Sequence, residues 1–416
     1  MSGTPAQPER PALAPGAGNV LYGSDIVAET LRALDLPFIA LTPGASFRGL
    51  HDSLVNHLGN EAPQMLLCLH EESAVSLAQG WAKVTGRPMA VAVHSNVGLM
   101  HATMPVFNAW CDRMPMLLIG ATGPVDAAKR RPWIDWIHTA QDQNALVRHY
   151  VKWDAQPASV EAAREALLRA HWLTVTPPCA PVFVTLDAAL QEAPLEAPPP
   201  PLDPARFAPA GVPDAAPEAI ARAAAVLRDA RHPVILMGRV GRGMDAWAAR
   251  VALAEALRAR VATSILGAAA FPTDHAAHLG APATFAGPEL IAALGDADAI
   301  LSLDWIDLAG TLRAAGAFPP AARIVHVSLD HALHNGWSMD HQGFPPADIL
   351  LPTTPDRAVA SLSAALGVAA APAPLGPPAP APLVPAGPIS VRGLAHALRA
   401  ATAGHDVSIL HLPLPW

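Results

Sequence analysis

Short apolar segments alternate with segments of helical periodicity over most of residues 19–190, and this alternation limits what the chain can fold into. The apolar segments at 38–41, 64–69, 88–93 and 114–119 have the length of buried strands. The segments 24–36, 47–58, 71–85 and 97–110 carry apolar residues at helical spacing. A strand, a helix and a second strand at this spacing form a βαβ unit with parallel strands. We therefore predict an α/β domain built on a doubly wound parallel sheet.

The same alternation returns in residues 217–367, after a segment at 191–216 that is dominated by proline and alanine. Segments of that composition bury too little surface to fold, so 191–216 and the similar 368–388 are predicted to be linkers. Residues 217–367 then form a second, Rossmann-like α/β domain, and residues 1–18 form a disordered tail. The helix and short strand in 389–416 are too little for a domain, so we expect them to begin a third domain that is incomplete here.

Charge and cysteine usage exclude several classes of protein. The net charge is −8, and we find no run of Lys and Arg with interleaved aromatic residues of the kind that follows a phosphate backbone, which argues against a nucleic-acid partner. No segment reaches ~18 uninterrupted apolar residues and the first residues lack a signal-peptide pattern, so we predict a cytoplasmic protein with no membrane partner. Cys68, Cys111 and Cys179 are widely separated and are expected to be core residues, neither disulfide-bonded nor metal-binding.

The most informative segment is 67–86, where an apolar strand leads directly into a helix whose first turn carries Glu71 and Glu72. The helix dipole favours acidic residues at this position, so the spacing alone is typical of a helix cap. His94 follows the next strand in the same way, and a buried core histidine is the ordinary occupant of such a position. Spacing alone therefore defines no active site.

Taken with its neighbours, this segment resembles the pyrimidine-binding domain of the thiamine diphosphate (ThDP) enzymes, the superfamily of acetolactate synthase, benzoylformate decarboxylase and pyruvate oxidase. The similarity runs in order through nearly all of residues 19–190. Residues 233–238, 263–267 and 296–301 resemble the central domain of the same superfamily more loosely. The motifs that carry the first similarity are Thr42-Pro43-Gly44, His70-Glu71, Gly80-Trp81-Ala82, the run from Val93 to Gly98, Asn108-Ala109-Trp110 and residues 114–120.

The resemblance implies a role for each matching residue. Glu71 matches the carboxylate that activates the cofactor by a hydrogen bond to the ring nitrogen of its aminopyrimidine. His94 matches a histidine that faces the cofactor, which makes it a residue for proton transfer or substrate orientation. The residues implied to lie around the cofactor are Pro43, Gly44, Ser95 and Asn96.

One departure from the decarboxylase pattern concerns the substrate. Those enzymes have a serine directly after the Pro-Gly pair, whereas this chain has Ala45 and then Ser46. The substrate-carboxylate contact of that serine is therefore not carried over, and benzoylformate is a less favoured substrate.

The second half of the cofactor is expected to bind elsewhere. In this superfamily a Gly-Asp-Gly sequence and a later Asn hold the diphosphate through Mg²⁺, and oxygen ligands suit that ion. The 416 residues contain no Gly-Asp-Gly, so we expect no metal ligand on this chain and place the Mg²⁺ ligands on a partner domain. Some branches also hold FAD in the central domain. The glycine-rich residues 238–243 are interpreted as a tight turn in preference to a phosphate cradle, so FAD is possible but not favoured.

These observations together predict a subunit or truncated form of an acetolactate synthase-like, ThDP-dependent 2-oxo acid decarboxylase or carboligase. Its substrate would be a small 2-oxo acid or 2-hydroxyacyl compound. It would act in a homo- or hetero-oligomer with a subunit that carries the diphosphate-binding domain, and the isolated chain would be inactive. One alternative is a non-catalytic remnant that serves as a binding or regulatory subunit. A dinucleotide-dependent oxidoreductase is disfavoured because no Gly-x-Gly-x-x-Gly follows a first strand.

Overall fold

The computed structural model of the chain describes residues 9–10, 20–267, 269–280, 282, 285–333, 335–336, 341–369, 387–405 and 407. Most of the predicted tail at 1–18, most of the predicted linker at 368–388 and the last nine residues lie outside the described residues. The predicted domain boundaries stay predictions.

The N-terminal region is built on a six-stranded sheet in which every neighbouring pair of strands is parallel. Its elements are β1 Leu21–Tyr22, α1 Gly23–Ala33, β2 Phe38–Leu41, α2 Arg48–Asp52, β3 Gln64–Leu67, α3 Glu71–Thr85, β4 Ala90–Val93, α4 Ser95–Cys111, β5 Met116–Thr122, β6 Asp154–Ala155, α5 Val160–Val175, β7 Pro181–Asp187, α6 Ala188–Glu192 and β8 Pro194–Leu195. The strand order is β3-β2-β4-β5-β7-β6, while β1 and β8 form a separate antiparallel pair. The direction of winding reverses between β2 and β4, and the strand ends at such a switch point leave a crevice.

Helices cover both faces of this sheet. β4 and β5 are buried along their whole length, as expected of strands that contact helices on either side. One core packs α1, α2 and α5 against the sheet, with Leu31, Leu50 and Leu167 among its members. The other packs α3 and α4, with Val75 and Val106. The predicted doubly wound α/β fold is confirmed.

A second parallel sheet follows, with five strands in the order β10-β9-β11-β12-β13. Its elements are α7 Pro217–Asp229, β9 Pro233–Met237, α8 Met244–Ala256, β10 Arg260–Thr263, α9 Pro288–Asp296, β11 Ala299–Leu303, α10 Leu308–Ala314, β12 Arg323–Val327, β13 Ile349–Leu351 and α11 Pro355–Leu366. Its winding reverses between β9 and β11.

Both sheets belong to one compact unit. A second unit contains residues 274–276 and the described residues after 373, with helix α12 Val391–Ala401. The described residues of this second unit include no β-strand. Among all of the described residues, no helix has the length and apolarity needed to cross a bilayer.

The structure differs from the sequence prediction at several places. The helix predicted at 47–58 is α2 followed by a π-helical turn at Ser53–His57. The strand predicted at 64–69 ends at Leu67, and Leu69 is fully exposed. The predicted linker begins with a buried Gln191, whose amide donates to Ser46 O at 3.0 Å and accepts from Leu50 N at 3.3 Å. At its start this segment is therefore a packed part of the first domain.

A buried ion-pair network joins the two sheet regions. Arg113, between α4 and β5, donates to Asp330 Oδ1 at 2.8 Å. Arg239, directly after β9, donates to Asp330 Oδ2 at 2.6 Å and to Asp304 Oδ2 at 2.8 Å. Asp330 is 2% exposed, and the two arginines hold the pKa of its carboxyl well below the ordinary range. Charges buried this deeply are stable only when paired, so Asp330 fixes the regions to each other.

Replacing Asp330 is expected to destabilise the chain strongly. Asp330→Asn leaves Arg113 buried without its carboxylate, which should lower the free energy of unfolding by about 3–5 kcal/mol in urea denaturation. The matched control is Asp214→Asn, which breaks the exposed pair of Asp214 with Arg357. Equal losses in the two variants would contradict the structural role of the buried network.

Candidate active site

The site residues predicted from the sequence follow three neighbouring strands at the switch point of the first sheet. Thr42, Pro43 and Gly44 follow β2, His70 and Glu71 follow β3, and His94 and Ser95 follow β4. Parallel strands end at one edge, so these segments lie along the same crevice.

Glu71 is the first residue of α3 and is only 7% exposed. The preceding His70 caps the helix, with its Nδ1 accepting a hydrogen bond from Glu72 N at 3.2 Å. The Glu71 carboxylate lies against α4, where a Cβ placed on Gly98 would be 2.8 Å from Glu71 Oε1. The side chain therefore occupies space that only a glycine at 98 leaves open, while Glu72 is exposed to solvent.

His94 precedes α4 and packs in a polar and aromatic surrounding. Its Nδ1 lies 2.8 Å from Ser46 Oγ, and its ring lies 4.5 Å from the ring of His138, tilted by 44°. Phe47 contacts the ring edge-on at 6.3 Å. A Cβ on Gly44 would be 2.4 Å from His94 Cγ, so the turn after β2 needs glycine to make room for the imidazole.

The surroundings of His94 favour its neutral form. Partial burial lowers the pKa of His94 below its ordinary value, and the nearby His138 lowers this pKa further, while the Glu71 carboxylate partly opposes both. A neutral imidazole is able to accept a proton near neutral pH and to return it in a later step.

Several buried polar atoms at this edge have no hydrogen-bond partner among the described residues. They are Thr42 Oγ1, Ser95 Oγ and Asn96 Oδ1. Ser95 is fully buried and has a φ of +43°, which is strained for a residue with a side chain and is typical of functional sites. Unpaired buried polar atoms beside a buried carboxylate fit a polar heterocyclic ligand such as an aminopyrimidine.

The structure brings Gly44, His94 and Ser46 into one cluster and leaves Pro43 exposed at its rim. The sequence did not predict that Ser46 and His138 contact His94. Ser46 lies one position later than the decarboxylase pattern, yet its hydroxyl reaches His94. His138 lies in the loop after β5, in a stretch with no motif, so nothing in the sequence indicated it.

A separate cleft of about 390 Å³ lies at the switch point of the second sheet, lined among others by Asp112, Arg242 and Asp356. Its glycine turn packs tightly against the protein itself. A Cβ on Gly238 would be 2.1 Å from Asp304 O, and one on Gly241 would be 1.9 Å from Asp356 Oδ2. These glycines serve internal packing, and a carboxylate at the turn disfavours a diphosphate there.

Comparison with known proteins identifies the family of two parts of the chain. Residues 21–146 match the family described as thiamine pyrophosphate enzyme, N-terminal TPP binding domain, and residues 220–336 match the thiamine pyrophosphate enzyme, central domain. Together the matches cover more than half of the chain.

Individual relatives are similar over part of their length. The large subunit of acetolactate synthase from Corynebacterium glutamicum is 25% identical over 313 residues, 75% of this chain and 48% of that protein. Benzoylformate decarboxylase from Pseudomonas aeruginosa is 30% identical over 225 residues, 53% of this chain and 41% of that protein. The chain thus spans about half the length of these relatives or less. The structure of benzoylformate decarboxylase from Polynucleobacter necessarius has the same fold, with a TM-score of 0.65 and 21% identity over 83% of this chain and 61% of that one.

The histidine pair is expected to control the protonation of His94. His94 should titrate below about 6.5, the ordinary pKa of histidine, when followed by NMR. His138→Gln removes one cause of the lowering, so the pKa of His94 should rise. As the pH falls, the unfolded chain binds this proton before the folded chain does. The stabilisation linked to neutral His94 is therefore complete above about pH 6.5 and is lost as the pH falls towards the folded-state pKa. An unchanged titration in His138→Gln would contradict the coupling.

Proposed function

The chain belongs to the thiamine pyrophosphate enzyme family, and from this premise we propose that it supplies the pyrimidine-binding half of a ThDP site. The enzyme would break or form the carbon–carbon bond beside the carbonyl group of a 2-oxo acid or 2-hydroxyacyl substrate. The observation that carries the proposal is the buried carboxylate of Glu71 at the end of β3.

The residues at the crevice would hold the aminopyrimidine. Thiamine diphosphate, when bound, supplies a nucleophilic carbon and an acceptor for the electron pair of the broken bond. Glu71 would hold a proton at the ring nitrogen of the pyrimidine. The unpaired atoms of Thr42, Ser95 and Asn96 support the assignment, because each needs a partner that a polar ring provides.

His94 would act on the substrate side of the site. It is neutral near neutral pH, so it can take a proton beside the reacting carbonyl and return that proton in a later step. Ser46 would orient the imidazole through its 2.8 Å contact with Nδ1. Ser46 would therefore be a positioning residue for His94.

The diphosphate half of the site would come from outside the printed sequence. A Gly-Asp-Gly sequence is absent from the 416 residues, so Mg²⁺ and the diphosphate would be held by a domain on a longer form of this polypeptide or on another chain. Without that domain the chain would bind ThDP weakly and turn nothing over.

An exposed apolar face beside Glu71 supports this completion. Val97, Met100 and Met104 lie on one stripe of α4, and Leu77 on α3 and Leu69 before it are exposed as well. Exposed apolar side chains on one stripe of a helix are typical of a protein interface. We propose that a second subunit covers it, closing the cleft over Glu71.

The names of the relatives set the proposed substrate class. One is named for the synthesis of acetolactate and one for the decarboxylation of benzoylformate. Decarboxylation or carboligation of a small 2-oxo acid is therefore the proposed reaction. FAD is not included, because Gly238 and Gly241 pack against the protein itself. A cytoplasmic location remains part of the proposal.

A binding or regulatory subunit without catalysis is the second candidate, favoured by the absence of Gly-Asp-Gly. The two candidates differ when a Gly-Asp-Gly domain is supplied. The catalytic proposal predicts calorimetric binding of ThDP with Mg²⁺ and release of CO₂ from a 2-oxo acid. The regulatory candidate predicts association with the added domain but no dependence of turnover on Glu71.

Glu71→Gln should abolish most of the activity of the completed enzyme. The amide cannot exchange a proton with the pyrimidine, so decarboxylation measured across a panel of 2-oxo acids should fall about 10²–10⁴-fold. Glu72→Gln is the matched control one residue later on the exposed side, and it should change the rate only a few-fold. A similar rate in Glu71→Gln and wild type would rule the proposal out.

Gly98→Ala should displace the Glu71 carboxylate without unfolding the chain. The added methyl group would lie 2.8 Å from Oε1, which is the mobile end of the side chain and moves easily. A shift of about 1 Å in a catalytic group costs roughly 10²-fold in rate. Gly80→Ala is the control, since it lies within α3 with no atom within 4 Å of the added Cβ. Thermal unfolding should be nearly unchanged in both, and equal rates in both would contradict the placement of Glu71.

A further inference from the structure

We propose that His70, Glu71 and His101 form a binding site for a divalent transition-metal ion such as Zn²⁺. We further propose that the ion and the aminopyrimidine exclude each other at Glu71. The first statement stands on the geometry of this chain, and the second rests on the proposed function.

The three side chains already lie at nearly the spacing that an ion requires. One ligand atom from each falls within 4.8 Å of the other two. Glu71 Oε2 is 3.5 Å from His101 Nδ1. Zinc binds nitrogen and oxygen at about 2.0–2.2 Å in a tetrahedral arrangement, which puts neighbouring ligand atoms roughly 3.5 Å apart. One edge of such a tetrahedron is therefore present, and the His70 ring must turn for its nitrogen to complete the face.

Two helices bring the ligands together. His70 and Glu71 stand at the start of α3, and His101 lies in the second turn of α4. The rings of His70 and His101 stack at 4.9 Å with an angle of 13° between their planes. The Glu71 carboxylate lies beside Gly98, one turn before His101 on α4. This packing holds the three side chains close together, and the two stacked rings must turn apart before one ion can lie in the plane of both imidazoles.

Access and charge also fit a metal ion. The side chain of His101 is 52% exposed and His70 is exposed, so an ion reaches Glu71 from solvent and keeps an open position for water. Two imidazoles with one carboxylate favour zinc and neighbouring transition metals, whereas Mg²⁺ prefers oxygen ligands alone. The positive end of the α3 dipole opposes a cation here, and the negative charge of Glu71 offsets it.

Binding has a structural consequence at His70. Its Nδ1 now accepts the 3.2 Å cap bond from Glu72 N. An ion bound through Nδ1 replaces that bond, and Glu72 N is free to turn to water because Glu72 is exposed. The same ion occupies the carboxylate that the aminopyrimidine needs, so metal and cofactor compete for Glu71.

The metal site is tested on the full chain without cofactor. The chain is freed of metal with a chelator and titrated with Co²⁺, followed by its visible ligand-field bands, and with Zn²⁺, followed by calorimetry. We expect one equivalent to bind, and His70→Ala or His101→Ala to raise the Kd at least tenfold. His232→Ala removes an exposed histidine from the other sheet region and should leave binding unchanged. Absence of saturable binding, or equal Kd values in all variants, would overturn the site.

Competition is tested in the completed enzyme, with Mg²⁺ in excess so that the diphosphate does not remove zinc. Saturating ThDP should raise the apparent Kd for Zn²⁺ at least tenfold, and Zn²⁺ should raise the apparent Kd for ThDP. Undiminished Zn²⁺ binding in the presence of bound ThDP would overturn the exclusion. Failure of ThDP to bind the completed enzyme with Mg²⁺ present and zinc absent would overturn the proposed function, while the Co²⁺ spectrum would still decide the metal site.

Discussion

The burial of one carboxylate at the end of a parallel strand is the constraint on which the rest of the site depends. The strand β3 stops at Leu67, and helix α3 begins at Glu71, so the chain turns at the switch-point edge and directs Glu71 inward. Gly98 on the neighbouring helix leaves the space that the carboxylate fills. A buried carboxylate is costly unless a partner shares its charge or its proton, and this cost makes the position suitable for a ligand that supplies one.

Other polar groups lie at the same edge of the sheet as that carboxylate. His94 lies between the hydroxyl of Ser46, with which it shares a hydrogen bond, and the imidazole of His138. The Glu71 carboxylate raises the pKa of His94. Farther out, Arg113 and Arg239 fix the second sheet region to the first through Asp330. The buried network thus joins the two sheet regions, while Thr42 Oγ1 and Ser95 Oγ at the crevice are buried with no hydrogen-bond partner among the described residues.

Most of the first sheet was predictable because its strands are short, apolar and separated by helices of clear periodicity. The predicted bounds of β2 and α3 agree with the structure. Helix α5, strands β6 and β7, and α10 were not identified. The π turn after α2 was not predictable, because the hydrophobic pattern at 47–58 is continuous. Glu71 and His94 were identified from a family resemblance. His138 and His101 were not, because their proximity to the site arises from a loop and a helix face that no motif marks.

The proposed function requires that Glu71 contacts the ring nitrogen of a bound aminopyrimidine. The most direct test is a crystal structure of the completed protein with ThDP and Mg²⁺. We expect a Glu71 carboxylate oxygen at about 2.6–3.2 Å from that nitrogen, which is the range of a hydrogen bond that transfers a proton. A pyrimidine ring bound elsewhere, or a Glu71 side chain turned to bulk water beside an ordered cofactor, would contradict it.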